Sequence, residues 1–72
     1  MIMYKIEINK LPYFVRSGSV SGRELRKIAN IPLNHILKFA IPRHWNLIEI
    51  FAEDQVDLTG PGTEHFLSVE SE

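Results

Sequence analysis

The first segment of the chain alternates apolar and polar residues. Tyr4, Ile6 and Ile8 occupy every second position and polar residues lie between them. This period of two predicts a strand with one buried face. The pattern breaks at Asn9-Lys10-Leu11-Pro12 and resumes over Tyr13-Phe14-Val15-Arg16. A short break between two such segments predicts a β-hairpin.

A change of period after this hairpin predicts a helix. Ser17-Gly18-Ser19 has the composition of a loop. Ser21 followed by Glu24 matches a capping box, in which each side chain accepts a hydrogen bond from a backbone N–H at the start of a helix. The helix is therefore expected to begin beside Ser21.

The apolar residues of this helix form one stripe. Leu25, Ile28 and Ala29 follow the i, i+3, i+4 spacing that places side chains on one helical face. Pro32 stops the helix near Asn30, because the residue before a proline avoids helical geometry. A helix over residues 22–30 has too few turns to persist alone, so it must lie on a sheet.

Three further strands are predicted after the helix. Residues 36–41 are apolar except for one lysine, and residues 47–51 are apolar except for Glu49. Residues 53–58 are interpreted as irregular. Thr59-Gly60-Pro61-Gly62 predicts a turn, because glycine permits a positive φ and proline fixes its own. Residues 65–69 are the last predicted strand.

The resulting order, ββαβββ, predicts an α+β fold with one helix packed on one face of a mixed sheet of four or five strands. Residues 1–69 form the expected domain, and residues 70–72 form a polar tail that we expect to be mobile and exposed. We expect the helix to pack through Leu25 and Ile28 on a sheet that includes Ile6 and Phe39.

Charge and composition exclude several classes of partner. Eight Lys and Arg residues against nine Asp and Glu residues give a net charge of −1, and no basic cluster exists for a nucleic acid. No apolar run approaches the ~20 residues that span a bilayer. The chain has no cysteine, which fits a reducing compartment. We therefore expect a cytoplasmic protein that binds neither nucleic acid nor membrane.

The sequence predicts no catalytic, metal or cofactor site. The histidines at 35, 44 and 65 lack the spacing of a zinc site. No serine lies in a nucleophile elbow or a triad motif. The Gly60-Pro61-Gly62 run lacks the Lys-Ser/Thr and the following helix of a phosphate-binding loop. The chain is therefore not expected to be an enzyme.

Two segments are candidates for partner binding. Trp45 and Arg43 are residue types enriched at interface hot spots, although folding back to cap the edge of the sheet is the favoured role of Trp45. In the last strand, an inward Phe66 leaves Leu67 and Val69 outward, as an apolar patch for a partner. This patch would adjoin two residues of the first strand, Met3 and Lys5, whereas the opposite register would bury Leu67 and Val69.

Three motifs resemble a known family. They are Tyr4-Lys5-Ile6-Glu7-Ile8-Asn9, Val20-Ser21-Gly22-Arg23-Glu24-Leu25, and Val56-Asp57-Leu58-Thr59-Gly60-Pro61-Gly62 with Phe66. With this order of elements, the chain resembles the bacterial multiubiquitin-type domain, a ubiquitin-like family. The resemblance implies a β-grasp fold and a protein modifier. An activating enzyme would adenylate its C-terminus, a conjugating enzyme would receive it, and a JAB-type peptidase would trim or remove it.

The end of the chain leaves two hypotheses open. Ubiquitin-type modifiers end in Gly-Gly, whereas this sequence ends in Glu70, Ser71 and Glu72. If the chain is a modifier, these three residues are its conjugation tail. If it is not conjugated, it is a β-grasp interaction module that could self-associate through a sheet edge or the outer face.

Overall fold

The computed structural model describes residues 2–41 and 46–71, which form seven strands and one helix. In chain order these are β1 (Tyr4–Ile8), β2 (Leu11–Val15), β3 (Ser19–Ser21), α1 (Gly22–Ile28), β4 (His35–Ala40), β5 (Leu47–Glu49), β6 (Gln55–Asp57) and β7 (Glu64–Glu70). Five strands form one sheet in the order β2-β1-β7-β4-β5. Strands β1 and β7 are parallel, and the other neighbours are antiparallel. The predicted α+β arrangement is confirmed.

The first hairpin is tighter than the sequence pattern predicted. Asn9 and Lys10 alone connect β1 to β2, with φ angles of 54° and 69°. Two consecutive residues with positive φ match the turn type that suits the twist of a hairpin. Leu11 and Pro12, expected in the turn, belong to β2. Proline is tolerated there because β2 lies at an edge of the sheet.

The start of α1 is fixed by the predicted capping box. The Ser21 hydroxyl accepts a hydrogen bond from the Glu24 N–H at 3.1 Å, and the Glu24 carboxylate accepts one from the Ser21 N–H at 3.0 Å. The helix ends at Ile28, two residues before the predicted end at Asn30. Asn30 has a φ of 53°, the left-handed geometry that commonly follows a helix.

This cap gives a testable effect on stability. Ser21→Ala should lower the free energy of unfolding by about 0.5–2 kcal/mol, because the Glu24 N–H loses its acceptor. Ser21→Asp should be nearly neutral, since aspartate also caps well. Urea denaturation of the three proteins measures both differences. Equal losses in both variants would mean that the hydroxyl stabilises something other than the helix start.

The buried face of α1 differs from the predicted one at Ile28. Leu25 is fully buried and Ala29 packs against the core, but Ile28 is 39% exposed. Successive helical residues are rotated by about 100°, so Ile28 and Ala29 lie on opposite sides of Leu25. The core contacts the Ala29 side, and the expected packing of Ile28 is therefore wrong.

A second, two-stranded sheet was not predicted. Strands β3 and β6 pair antiparallel, with Val20 opposite Val56, and both side chains are buried. The sequence pattern predicted a loop at Ser19 and an irregular segment over residues 53–58. Beyond this pair, the Gly22 N–H donates to the Asp54 carbonyl at 3.0 Å. The small sheet therefore positions the first turn of α1.

The hydrophobic core lies between α1 and the inner face of the large sheet. Its fully buried side chains are Ile6, Ile8, Val20, Leu25 and Leu37. Phe39 packs at its margin against Phe66, with ring centroids 5.2 Å apart. Leu25 and Ile6 lie in one core cluster and Phe39 packs against it, as predicted.

The predicted strand ends need small corrections. Strand β4 begins and ends one residue earlier than predicted, and β5 ends at Glu49 rather than at residue 51. Strand β7 runs from Glu64 to Glu70, so Glu70 belongs to the last strand rather than to the predicted tail.

Candidate functional site

The sheet has one face that α1 does not cover, and we call it the outer face. Side chains alternate between faces along a strand. In β7, Glu64 and Phe66 point toward the core, so His65, Leu67 and Val69 lie on the outer face. Phe66 is only 3% exposed, which confirms its predicted inward position.

The neighbours of these outer residues differ from the expected ones. Parallel pairing with β1 places His65 beside Glu7, and the His65 Nδ1 lies 3.3 Å from the Glu7 carboxylate. On the β4 side, Leu67 lies opposite Lys38. The parallel pairing of β1 with β7 begins with Ile6 opposite Glu64 and reaches Ile8 opposite Phe66. Leu67 therefore lies beyond Ile8, and its expected position beside Met3 and Lys5 is wrong.

A pocket of about 540 Å³ opens on this face, within the range of ligand-binding pockets. It lies where the end of β4 meets the start of β5 and the first half of β7. Its lining is mostly apolar, with polar side chains at one side. The lining residues are Glu7, Asn9, Lys10, Ala40, Leu47, His65, Phe66 and Leu67.

One wall of the pocket is held in place by Asn9. Its side-chain oxygen accepts a hydrogen bond from the Ser68 N–H at 2.8 Å, and its amide nitrogen donates to the Ser68 hydroxyl at 3.0 Å. The Asn9 N–H also donates to the Phe66 carbonyl at 3.0 Å. These bonds continue the pairing of β1 with β7 into the turn and fix the position of Lys10.

Lys10 occupies an unusual backbone position. Its φ of 69° favours glycine, and Asn-Gly is the common sequence for such a turn. A lysine there has a conformational cost, and such costs cluster at functional positions. The sequence pattern did not predict this pocket, whose one local signal is a hairpin turn with lysine in place of glycine.

The structure separates the predicted site residues. Leu67 lines the pocket, but Val69 lies further along β7, opposite Ile36 and outside the lining. The Ser71 N–H and hydroxyl each donate to the Asn34 carbonyl at 2.8 Å. The remaining candidates, Arg43, Trp45 and Glu72, lie outside the described residues, as does His44.

Two carboxyl groups near the start of β7 have shifted pKa values. Burial raises the pKa of Glu64; the neighbouring His65 opposes this and the charge of Asp57 adds to it. The pKa of Asp57 is lowered instead, first by the Thr59 hydroxyl and then by the Thr59 N–H, both of which donate to its carboxylate.

The raised pKa of Glu64 makes stability depend on pH. The folded protein binds the Glu64 proton more tightly than the unfolded chain does, so protonated Glu64 stabilises the fold. This contribution to stability is lost as pH rises through the raised pKa of Glu64. Glu64→Gln should therefore be more stable than the natural protein at pH 7. The difference should shrink as pH falls toward the usual glutamate value of about 4.3.

Urea midpoints at pH 7 and pH 4 measure this effect. Glu49→Gln is the matched control, because Glu49 is exposed on β5, and it should give no comparable gain at pH 7. A Glu64→Gln variant that is less stable at pH 7 would show that the carboxylate stabilises the fold.

Within residues 2–41 and 46–71, no three His, Asp or Glu side chains are grouped as a metal site requires. No helix in that part of the chain is long and apolar enough to cross a membrane.

The order of the five strands, with one capped helix across the inner face, defines a ubiquitin-like β-grasp domain. The model of the multiubiquitin family matches residues 4–70. The chain therefore belongs to the multiubiquitin family, as its motifs predicted. No curated protein and no solved structure gave a match.

Proposed function

We propose that the chain is a bacterial ubiquitin-like protein modifier that is activated at its C-terminus and transferred to other molecules. The observation that carries this proposal is the family match over residues 4–70, which spans every described strand and the helix. In this role the domain is a substrate of enzymes and has no catalytic role itself.

The position of β7 supports this role. Although β7 lies in the middle of the sheet, its last residue, Glu70, is exposed, and so is Ser71. The two hydrogen bonds from Ser71 to Asn34 must break before an enzyme can extend this segment. A typical hydrogen bond contributes a net ~0.5–1.5 kcal/mol, so binding to an enzyme could offset their loss.

The proposed partners are those of a ubiquitin-like pathway. An activating enzyme would adenylate the terminal carboxylate, a conjugating enzyme would carry the modifier, and a JAB-type peptidase would trim or release it. The outer-face pocket, with Leu67 in its lining, is a surface that such proteins could recognise. This pathway would operate in the cytoplasm.

A second candidate is a β-grasp interaction module that is not conjugated. The hydrogen bonds of Ser71 to Asn34 favour it, because they hold the end of β7 against the β4 side of the domain.

The test is to incubate the protein with Mg²⁺, ATP and its presumed activating enzyme, and to analyse the products by mass spectrometry. A modifier should form an adenylate or an enzyme-linked product through its C-terminus. A variant extended by one alanine should lose that product. If the enzyme is active on another substrate but forms no product with this chain, the modifier hypothesis is wrong and the interaction module replaces it.

A further inference from the structure

The turn before β4 carries an exposed leucine. Among the described large apolar residues, Leu33 has the highest exposure, 97%. The His35 N–H donates to the Pro32 carbonyl at 3.0 Å, which closes a four-residue β-turn with Leu33 and Asn34 at its centre. The leucine side chain therefore projects from a tight turn into solvent.

This turn is held firmly by its neighbours. The Arg26 guanidinium donates to the Pro32 carbonyl at 3.3 Å, and Ser71 donates twice to the Asn34 carbonyl. The pyrrolidine ring also fixes the φ of Pro32. An apolar side chain on a rigid turn loses little conformational freedom when it binds, which favours association.

The outer-face pocket lies at the other end of β4. Leu33 precedes His35, the first residue of β4, whereas Ala40, its last residue, lines the pocket with Leu47 and Leu67. Six residues of strand span about 17 Å between first and last Cα atoms. Leu33 therefore cannot enter the pocket of its own chain, but it can enter that of a second copy.

One charged pair can form between the two ends. Glu7, at the pocket, contacts His65, and the Arg26 guanidinium, at the turn, stays positively charged while it donates to two neutral carbonyls. Within the described part of the chain, Lys10 beside the pocket and Glu70 beside the turn have no ion-pair partner. A contact between the two ends would thus bring unpaired charges of opposite sign together.

We propose that the Leu33 turn of one molecule docks into the outer-face pocket of a second, identical molecule. Different surfaces meet in this contact, so a pair of molecules keeps one unused turn and one unused pocket. Such head-to-tail contacts produce open chains, or rings where the rotation closes. Lys10, which occupies a turn position that favours glycine, would then place a charge at the interface. This docking does not require activation at the C-terminus, although breaking the Ser71–Asn34 bonds would loosen the turn.

A contact centred on one leucine predicts weak association, with a dissociation constant on the order of 0.1–1 mM. Analytical ultracentrifugation up to about 1 mM should show a mean mass that rises with concentration. Leu33→Asp removes the turn's apolar group and Leu47→Asp disrupts the pocket; each variant alone should remain monomeric. Both residues are substantially exposed, so both variants should fold, as circular dichroism would verify.

Mixing the two variants is the decisive step. Leu33→Asp keeps an intact pocket and Leu47→Asp keeps an intact turn, so together they should form a dimer that cannot grow further. In the mixture, ¹⁵N-labelled Leu33→Asp should show amide shifts around Asn9, Lys10 and Leu67 when unlabelled Leu47→Asp is added. Ile2→Asp, which alters an exposed residue outside both surfaces, should associate like the natural protein.

Three results would overturn the proposal. The first is a natural protein that stays monomeric at 1 mM, which would leave the pocket to a different partner. The second is association that survives Leu33→Asp. The third is a mixture of variants that does not dimerise, because that would indicate a symmetric contact between two copies of one surface.

Discussion

Replacing Gly22 by alanine should destabilise the fold by about 2 kcal/mol or more, although alanine is the better helix former. An added Cβ would lie 2.2 Å from the Phe51 carbonyl oxygen and 3.0 Å from Ile50 Cγ2. Helix propensity favours alanine by about 1 kcal/mol. Overpacking costs about 1–3 kcal/mol or more, and here the obstacle is backbone, which cannot move aside by changing rotamer. The steric cost should therefore exceed the gain in propensity.

Urea denaturation measures this loss, and Gly60→Ala is its control. A Cβ at Gly60 would have no neighbour within 4 Å, so that variant should be neutral or slightly more stable, by up to about 1 kcal/mol. The total free energy of unfolding of a domain of this size is about 4–10 kcal/mol. The Gly22 variant should therefore lose a large part of its stability. If both variants are equally stable, the close packing of α1 against Phe51 is not required.

Leu25→Ala should lower stability by about 2–5 kcal/mol. Leu25 is completely buried between α1 and the sheet, and truncation removes its apolar contacts and leaves a cavity. Leu33→Ala is the matched control, since the same change at a side chain that is 97% exposed should cost little. Thermal unfolding by circular dichroism compares the two. A loss of less than about 1 kcal/mol for Leu25→Ala would show that the core collapses around the deletion.

Strong local signals made much of the fold predictable. The alternation of Tyr4, Ile6 and Ile8 predicted β1, and Ser21 with Glu24 predicted the start of α1; each feature needs only neighbouring residues. The three family-like motifs predicted the β-grasp arrangement, and the family match confirmed it.

Features that depend on distant residues were missed. Strands β3 and β6 have three residues each, too few for a period to be visible, and they form because Val20 and Val56 meet across the fold. The alignment of β7 with β1 also could not be obtained from either strand alone. For that reason the expected neighbours of Leu67 were wrong.

The pocket could not be predicted for the same reason. Lys10, Ala40, Leu47 and Leu67 come from four separate segments and meet only after the sheet forms. The one local sign was Lys10 at a turn position that favours glycine. Residues 43 and 45, the other predicted binding residues, lie outside the described part of the chain, so their role stays a prediction.

The central position of β7 sets the order of events during synthesis. Ribosomes make β1, β2, β4 and β5 first, yet the two hairpins that these strands form are joined only through β7. An isolated hairpin is marginally stable in water, and pairing of Ile6 with Glu64 must wait for nearly the whole domain. The nascent chain therefore emerges before its five-stranded sheet can form. Its apolar strands are buried only after a single late step inserts β7 between the two hairpins.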